Sequence, residues 1–257
     1  MTRPGEAAWL RRYDPQAFPP FAVTVDLAIL TVRDGSLQAL LVRRDEHPFR
    51  GWWALPGGHL HHGAESADAA ARRELVEETG IDSTAEGLHL EQLATYSDPQ
   101  RDPRIGAGLQ VVSIGYVALA PGLPEPVAGT DAAEAAWWPV DALTESLAFD
   151  HARILVDAVE RVRAKVEYST VATSFLTEPF SLTELREVYR AVWGVAPDPA
   201  NFRRKVLATA GFVRPAELVG SPTTVGGRPP ELYRRGDAVL ITPPLARPAT
   251  GPAAPGP

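Results

Sequence analysis

The chain has 257 residues, no cysteine, 25 lysines and arginines against 32 aspartates and glutamates, and a net charge of −7. That length suffices for one large or two modest domains, and two is the starting expectation. The lack of cysteine excludes a disulfide framework, thiolate metal sites and a cysteine nucleophile, and no apolar stretch has the length of a signal peptide or membrane span, so a cytoplasmic protein with no membrane partner is expected.

Residues 1–20 mix Trp9, Tyr13 and Phe18 with four prolines and read as an irregular arm whose aromatics can tuck onto a partner surface. Phe21 to Val32 and Leu37 to Arg43 are β-rich runs separated by Asp34-Gly35, which makes a strand, a turn and a strand. Ser66 caps a helix that runs from Ala67 to Thr79 and closes at Gly80. Leu88 to Tyr96 and Gln110 to Leu119 supply further strands around the polar stretch Ser97 to Gly108, so the first half is mixed α/β.

Phe149 to Glu167 places Ile154, Leu155, Ala158, Val159, Val162 and Val166 on one helical face and links the halves. Ser181-Leu182-Thr183-Glu184 is a capping box before a second amphipathic helix, and Asp198-Pro199 opens a third that stops at Gly211. Phe212 to Val219 and Glu231 to Arg235 then read as strands around a tip rich in glycine and proline, Gly220 to Pro230. The expected layout is an arm over 1–20, a first domain with the linking helix over 21–168, a second domain over 169–242 and a disordered tail over 243–257.

The chemistry concentrates in the helix after Ser66. Glu74, Glu77 and Glu78 stand at i, i+3 and i+4, which gathers three carboxylates on one face. Their mutual repulsion is relieved by a multivalent cation, and hard oxygen donors suit Mg²⁺ or Mn²⁺. Arg73 can hold a neighbouring carboxylate in place, and Gly57, Gly58 and Gly63 make a loop that permits close backbone approach. Taken alone, Glu-Leu-Val-Glu-Glu also fits an exposed helix with solvated ion pairs. Arg43 and Arg44 sit at a strand end, in reach of phosphate or simply exposed, and Trp52 and Trp53 suit either a nucleobase or a core.

The flanking pattern decides for a site. Glu65, Arg73, Glu74, Leu75, Glu77, Glu78, Gly80 and Ile81 follow in the order and spacing of the Nudix signature, and the chain resembles that family. The resemblance implies a mixed sheet between helices, metal held by Glu74, Glu77 and Glu78, and one of these or a more distant carboxylate activating water against a pyrophosphate. Between Gly58 and Glu65 lie six residues where the signature has five. Because a displacement of about 1 Å costs on the order of a hundredfold in rate, the extra residue bears on hydrolysis more than on binding.

Charge divides the chain as well. Residues 1–180 carry 15 basic and 26 acidic side chains, whereas residues 181–240 carry 9 and 6. Within that basic piece Arg203, Arg204 and Lys205 face away from Phe202, Val206 and Leu207, and Arg228 lies at the tip. Two helices and a hairpin make a winged helix-turn-helix able to meet DNA, and a small helical cap bracing the first domain is the alternative. Asn201-Phe202-Arg203-Arg204-Lys205-Val206-Leu207, Gly227-Arg228-Pro229-Pro230-Glu231-Leu232-Tyr233-Arg234 and Trp53-Ala54-Leu55-Pro56-Gly57-Gly58 are similar to the Nudix-related transcriptional regulators of NAD metabolism, the NrtR type, from about Pro20 to Arg235. That resemblance implies a dimer whose Nudix domain senses ADP-ribose or a related nucleotide and whose winged helix binds operator DNA; a Mg²⁺-dependent hydrolase of a nucleoside diphosphate derivative is the second reading.

Overall fold

The apolar run that follows Pro20 becomes the spine of a mixed sheet. The computed structural model describes residues 5–80, 88–123, 132–143, 147–216 and 231–248. After a short helix, α1 (Glu6–Leu10), come strands β1 (Phe21–Arg33), β2 (Ser36–Arg44), β3 (Trp53–Ala54) and β4 (Gly57–His59), then helix α2 (Ala67–Thr79). Strands β5 (His89–Tyr96), β6 (Gln110–Leu119) and β7 (Ala132–Pro139) follow, and helix α3 (His151–Tyr168) closes the first half. The second half contains β8 (Phe180–Ser181), α4 (Leu182–Trp193), α5 (Pro199–Ala208), β9 (Val213–Pro215) and β10 (Leu232–Arg235).

The larger sheet runs β3-β2-β1-β6-β5, with β4 paired to β1 and β7 to β2. β1 and β6 are parallel over ten residue pairs and the other pairings are antiparallel. β1 is covered on both faces, which explains its near-continuous apolar sequence. Alternate side chains serve different layers: Val25, Leu27 and Ile29 pack with Ala70, Ala71 and Leu75 of α2, whereas Ala28 and Leu30 join the cluster of Ile154, Leu155 and Ala158 of α3. Asp34 and Gly35 both take positive φ, 48° and 72°, and set the register Arg33 opposite Ser36.

The second cluster of that sheet continues into the C-terminal half without a break. Val166 of α3, Tyr189 and Trp193 of α4, Phe202 of α5, Phe212 and Tyr233 belong to one buried group. Polar bonds reinforce it: the Trp193 indole N–H donates to the Arg163 carbonyl at 3.0 Å, the Tyr189 hydroxyl to the Val166 carbonyl at 3.1 Å and Arg163 Nε to the Val192 carbonyl at 3.0 Å. Arg190 Nη2 also reaches the Gly35 carbonyl at 3.2 Å. A smaller sheet, β8-β10-β9, completes this half.

The capping box at Ser181 and the Asp198-Pro199 start form as expected, the Asp198 carboxylate accepting from the Asn201 N–H. Other boundaries shift. α3 begins at His151 because Phe149 takes φ 56°, outside the helical range. α5 ends at Ala208 rather than near Gly211, its last turn closed by the Thr209 hydroxyl on the Lys205 carbonyl. β9 is shorter than the expected run, and the hairpin tip lies outside the described residues. The tail does not become structureless at 243: Leu245 is buried and its N–H donates to the Glu167 carbonyl at 2.7 Å. In the arm, α1 was not expected; Trp9, Tyr13 and Phe18 are exposed and contact one another, with centroids 4.8 and 6.3 Å apart. Among the described residues no helix is long and apolar enough to cross a membrane.

Candidate functional site

The carboxyl face of α2, the loop before it, the end of β2 and the two 3₁₀ turns between β5 and β6 enclose a cleft of about 780 Å³. Its first wall is acidic. Glu74, Glu77 and Glu78 all line it, as does Arg73. The Arg73 guanidinium donates to Glu65 from Nε at 3.2 Å and from Nη2 at 2.9 Å, and its Nη1 donates to Glu74 at 2.7 Å and Glu77 at 3.3 Å. Those bonds, with a further one from the His61 N–H, hold the Glu65 carboxyl down at about 2. Burial pushes Glu74 up from the usual carboxylate range, with the Arg73 bond opposing it.

This arrangement qualifies the expected metal set. Among the described residues no three acidic or imidazole groups converge as a ready-made cation site. The reason is visible: Glu74 and Glu77 are turned onto Arg73, so the guanidinium serves as their counter-charge. The donors still fit a hard divalent ion in chemistry and in helical spacing, and side-chain rotation towards the cleft is what ligation requires.

Gly57 and Gly58 line the cleft, as a loop open to close approach requires, and they are also packed tightly against the protein. A Cβ on Gly57 would stand 2.2 Å from the Val25 carbonyl oxygen and 3.0 Å from the Asp26 Cα, and one on Gly58 would stand 2.0 Å from the Glu74 carboxylate. The glycines let β4 close onto β1 and α2, so their open side meets protein. The six residues before Glu65 include a turn at His61 to Ala64, where Gly63 has φ 69°, and Glu65 is bonded to Arg73.

The opposite wall is basic. Arg44 and Arg104 line the cleft, and burial together with the Arg104 charge lowers Arg44 from its usual value. Arg104 is oriented by a fork onto Asp102, at 3.0 Å from Nε and 2.8 Å from Nη2. Arg44 Nε donates to the Pro48 carbonyl at 2.8 Å, and its guanidinium lies 4.9 Å from the Phe149 ring centre. Arg43 is not part of this wall. Neighbouring strand residues face opposite ways, and Arg43 bonds the Gly51 carbonyl at 3.0 Å and pairs with Glu134 at 3.6 Å. Trp52 and Trp53 are also outside the lining; Trp53 packs edge-on against Trp138 at 5.4 Å.

The floor was missed by the sequence reading. Asp26, in the middle of β1, is buried and accepts from Ser113 Oγ and, at 3.2 Å, from Arg101 Nη2. Arg101 also forks onto Asp150 at 2.7 and 3.1 Å. The His151 Nδ1 accepts the Leu55 N–H at 2.9 Å, which puts the ring proton on Nε2, 3.5 Å from Asp26. Burial lowers His151 from its usual value, and the Arg101 charge adds to that while Asp26 opposes it. One signal was available: a lone aspartate in a strand covered on both faces demands partners.

In the second half α5 buries Phe202 and Val206 and exposes Asn201, Arg203, Arg204 and Leu207. Arg203 pairs with Glu231 at 2.9 Å, Arg204 bonds the Asn201 side chain at 2.9 Å, and Lys205 is half-buried. Arg228 lies outside the described residues.

A helix bearing this acidic face beneath a glycine loop, joined through α3 to a second helical unit, matches two family models. The NUDIX domain model covers residues 21–158, and that of the NrtR DNA-binding winged helix domain covers 172–235. The chain belongs to the Nudix family and, within it, to the NrtR type. It is 34% identical over 233 residues to the ADPR responsive transcriptional repressor NtrR of Acinetobacter baylyi, covering 89% of this chain and 88% of the relative. The crystal structure of Shewanella oneidensis NrtR complexed with a 27mer DNA superposes with a TM-score of 0.67 at 33% identity, covering 82% of this chain and 92% of the other. An ADP-ribose pyrophosphatase of Methanocaldococcus jannaschii is 41% identical over 118 residues, 46% of this chain and 63% of the relative.

Two measurements test this geometry. Gly57→Ala meets backbone and should cost about 1–3 kcal/mol of stability, read by urea unfolding. Gly58→Ala meets only the carboxylate end of Glu74, which can turn aside at the expense of its Arg73 bond, so stability should fall by about 1 kcal/mol while Mn²⁺ binding, read by calorimetry, weakens about tenfold. Equal effects from both variants would refute the distinction. For His151, a folded value below the ordinary 6.5 means that its share of stability is complete above that pH and is lost as pH falls below it. Unfolding midpoints from pH 7.5 to 5.5 should therefore decline less in His151→Asn than in the unaltered chain.

Proposed function

We propose that the chain is a transcriptional regulator whose Nudix cleft takes ADP-ribose or a closely related nucleotide and whose winged helix binds operator DNA. The observation that carries this reading is α3: its first turn, at Asp150 and His151, is bonded to the cleft floor, and its last turns are bonded to α4 of the DNA-binding half. An occupant of the cleft that favours one setting of α3 changes the setting of α4, and a tenfold change in operator affinity needs only about 1.4 kcal/mol of such preference.

In this reading Glu74, Glu77 and Glu78 hold Mg²⁺ or Mn²⁺, Glu65 and Arg73 orient them, and Gly57 and Gly58 allow the loop to seat against them. The cation, when bound, neutralises diphosphate oxygens. Arg44 and Arg104 face those carboxylates across the cleft and suit the remaining phosphate charge. Arg204, Lys205 and Arg228 supply positive charge towards DNA. A homodimer is proposed because a single ten-residue recognition helix spans about 15 Å, less than the one helical turn that separates paired half-sites. By analogy with the Acinetobacter relative the regulator represses, and it acts in the cytoplasm where its operator is. The domain limits proposed above, 21–168 and 169–242, correspond to this division of labour.

A gel-shift assay with DNA from upstream of the chain's own gene tests the reading. Retardation at physiological salt that weakens at least about tenfold with ADP-ribose and Mg²⁺ is the expected result; no retardation defeats the regulator.

The intact acidic face and the similarity to a pyrophosphatase favour a second activity, Mg²⁺-dependent cleavage of the same nucleotide. If it operates, Glu78→Gln should abolish turnover and leave DNA retardation unchanged. An unaltered chain that releases no phosphate-bearing product removes the hydrolase reading.

A further inference from the structure

The basic triplet on α5 is not electrostatically uniform. Arg203 Nη2 donates to Glu231 Oε2 at 2.9 Å, and the Tyr233 hydroxyl donates to the same oxygen at 2.8 Å. Arg203 and Glu231 are 53% and 47% exposed, so their ion pair faces open solvent. Pairs of that kind contribute about 0–1 kcal/mol, too little to explain the arrangement as a stabilising device. Its geometry is the more informative feature. Arg203 follows Phe202, which is fixed in the core against Tyr189 at 5.2 Å. Glu231 immediately precedes β10, whose Tyr233 ring is buried. The three side chains therefore tie the exposed face of α5 to β10.

Charge points the same way. A carboxylate beside a DNA-facing helix repels phosphate, and by pairing with Arg203 it cancels the charge that residue offers. Arg204, one position on, is held by the neutral Asn201 amide oxygen and keeps its full charge. We propose that Arg203 is a positioning residue, which with Glu231 and Tyr233 locks the angle between α5 and β10, and that Arg204 is the phosphate-contacting arginine of the triplet. The proposal rests on the DNA-binding reading and divides labour within it.

Fluorescence anisotropy of the full chain on a labelled upstream duplex, from 50 to 300 mM KCl, tests it. Glu231→Gln deletes a negative charge from the DNA-facing surface, yet should weaken binding about threefold. Arg203→Ala should weaken it similarly with the slope of log K against log salt unchanged, and the double variant should be no weaker than either single one. Arg204→Ala should lower that slope by about 0.9, the signature of one lost phosphate contact. Tyr233→Phe, which keeps the buried ring, should weaken binding about twofold without altering the slope, and it serves if Arg203→Ala proves unfolded by circular dichroism. Tighter or unchanged binding by Glu231→Gln, or a slope lowered by about 0.9 in Arg203→Ala, overturns the positioning role alone. An unaltered chain that binds no duplex overturns the DNA-binding reading and this proposal with it.

Discussion

A carboxylate buried in the middle of β1 organises the first half of the molecule. Asp26 is buried at the floor of the cleft, and an uncompensated charge there would cost several kcal/mol. Its partners come from three separate segments: Ser113 on β6, Arg101 on the 3₁₀ turns before β6, and His151 on the first turn of α3. Satisfying one charge thus fixes the floor of the cleft, the loop at its mouth and the start of the helix that leads to the second half. Arg101 extends the network to Asp150, and His151 extends it to the backbone of Leu55, just before the glycine loop. Removal of any member leaves another buried group unmatched, so these residues act as a unit.

Above that floor, two walls of opposite charge face each other. On the acidic side Arg73 gathers Glu65, Glu74 and Glu77, and on the basic side Asp102 aligns Arg104 near Arg44. Each wall carries one residue of the other sign as its organiser. His59 lies between them, its carbonyl accepting from Arg73 and its Nε2 3.4 Å from Arg104. The metal-bound diphosphate of the proposed reading would set cation and anion side by side, as the side chains of this cleft set carboxylates and guanidinium groups. The same division appears on α5, where Glu231 engages Arg203 and leaves Arg204 to a neutral partner.

Sequence periodicity gave access to elements whose pattern is self-contained. β1, β2, β5, β6, α2 and α4 lie close to their expected spans because their apolar residues recur at strand or helix spacing and their ends carry recognisable caps. β7 escaped notice: Ala-Ala-Glu-Ala-Ala-Trp-Trp-Pro has no alternation, and it is a strand because β2 offers an edge to pair with. Arg43 and Arg44 looked equivalent in the sequence, and only the facing of β2 separates the wall residue from the one paired with Glu134.

What the sequence determined by itself is the local chemistry: carboxylates spaced to share a helical face, glycines before them, a capping box and a Pro-initiated basic helix further on. These are legible because they depend on separations of three or four residues along one element. What only the tertiary structure decided is which distant charges meet. Asp26 and Arg101 are 75 positions apart, Arg203 and Glu231 28, and nothing in either neighbourhood names the other. Such pairings follow from strand order and helix packing, since it is the burial of apolar faces that brings those side chains within hydrogen-bonding distance.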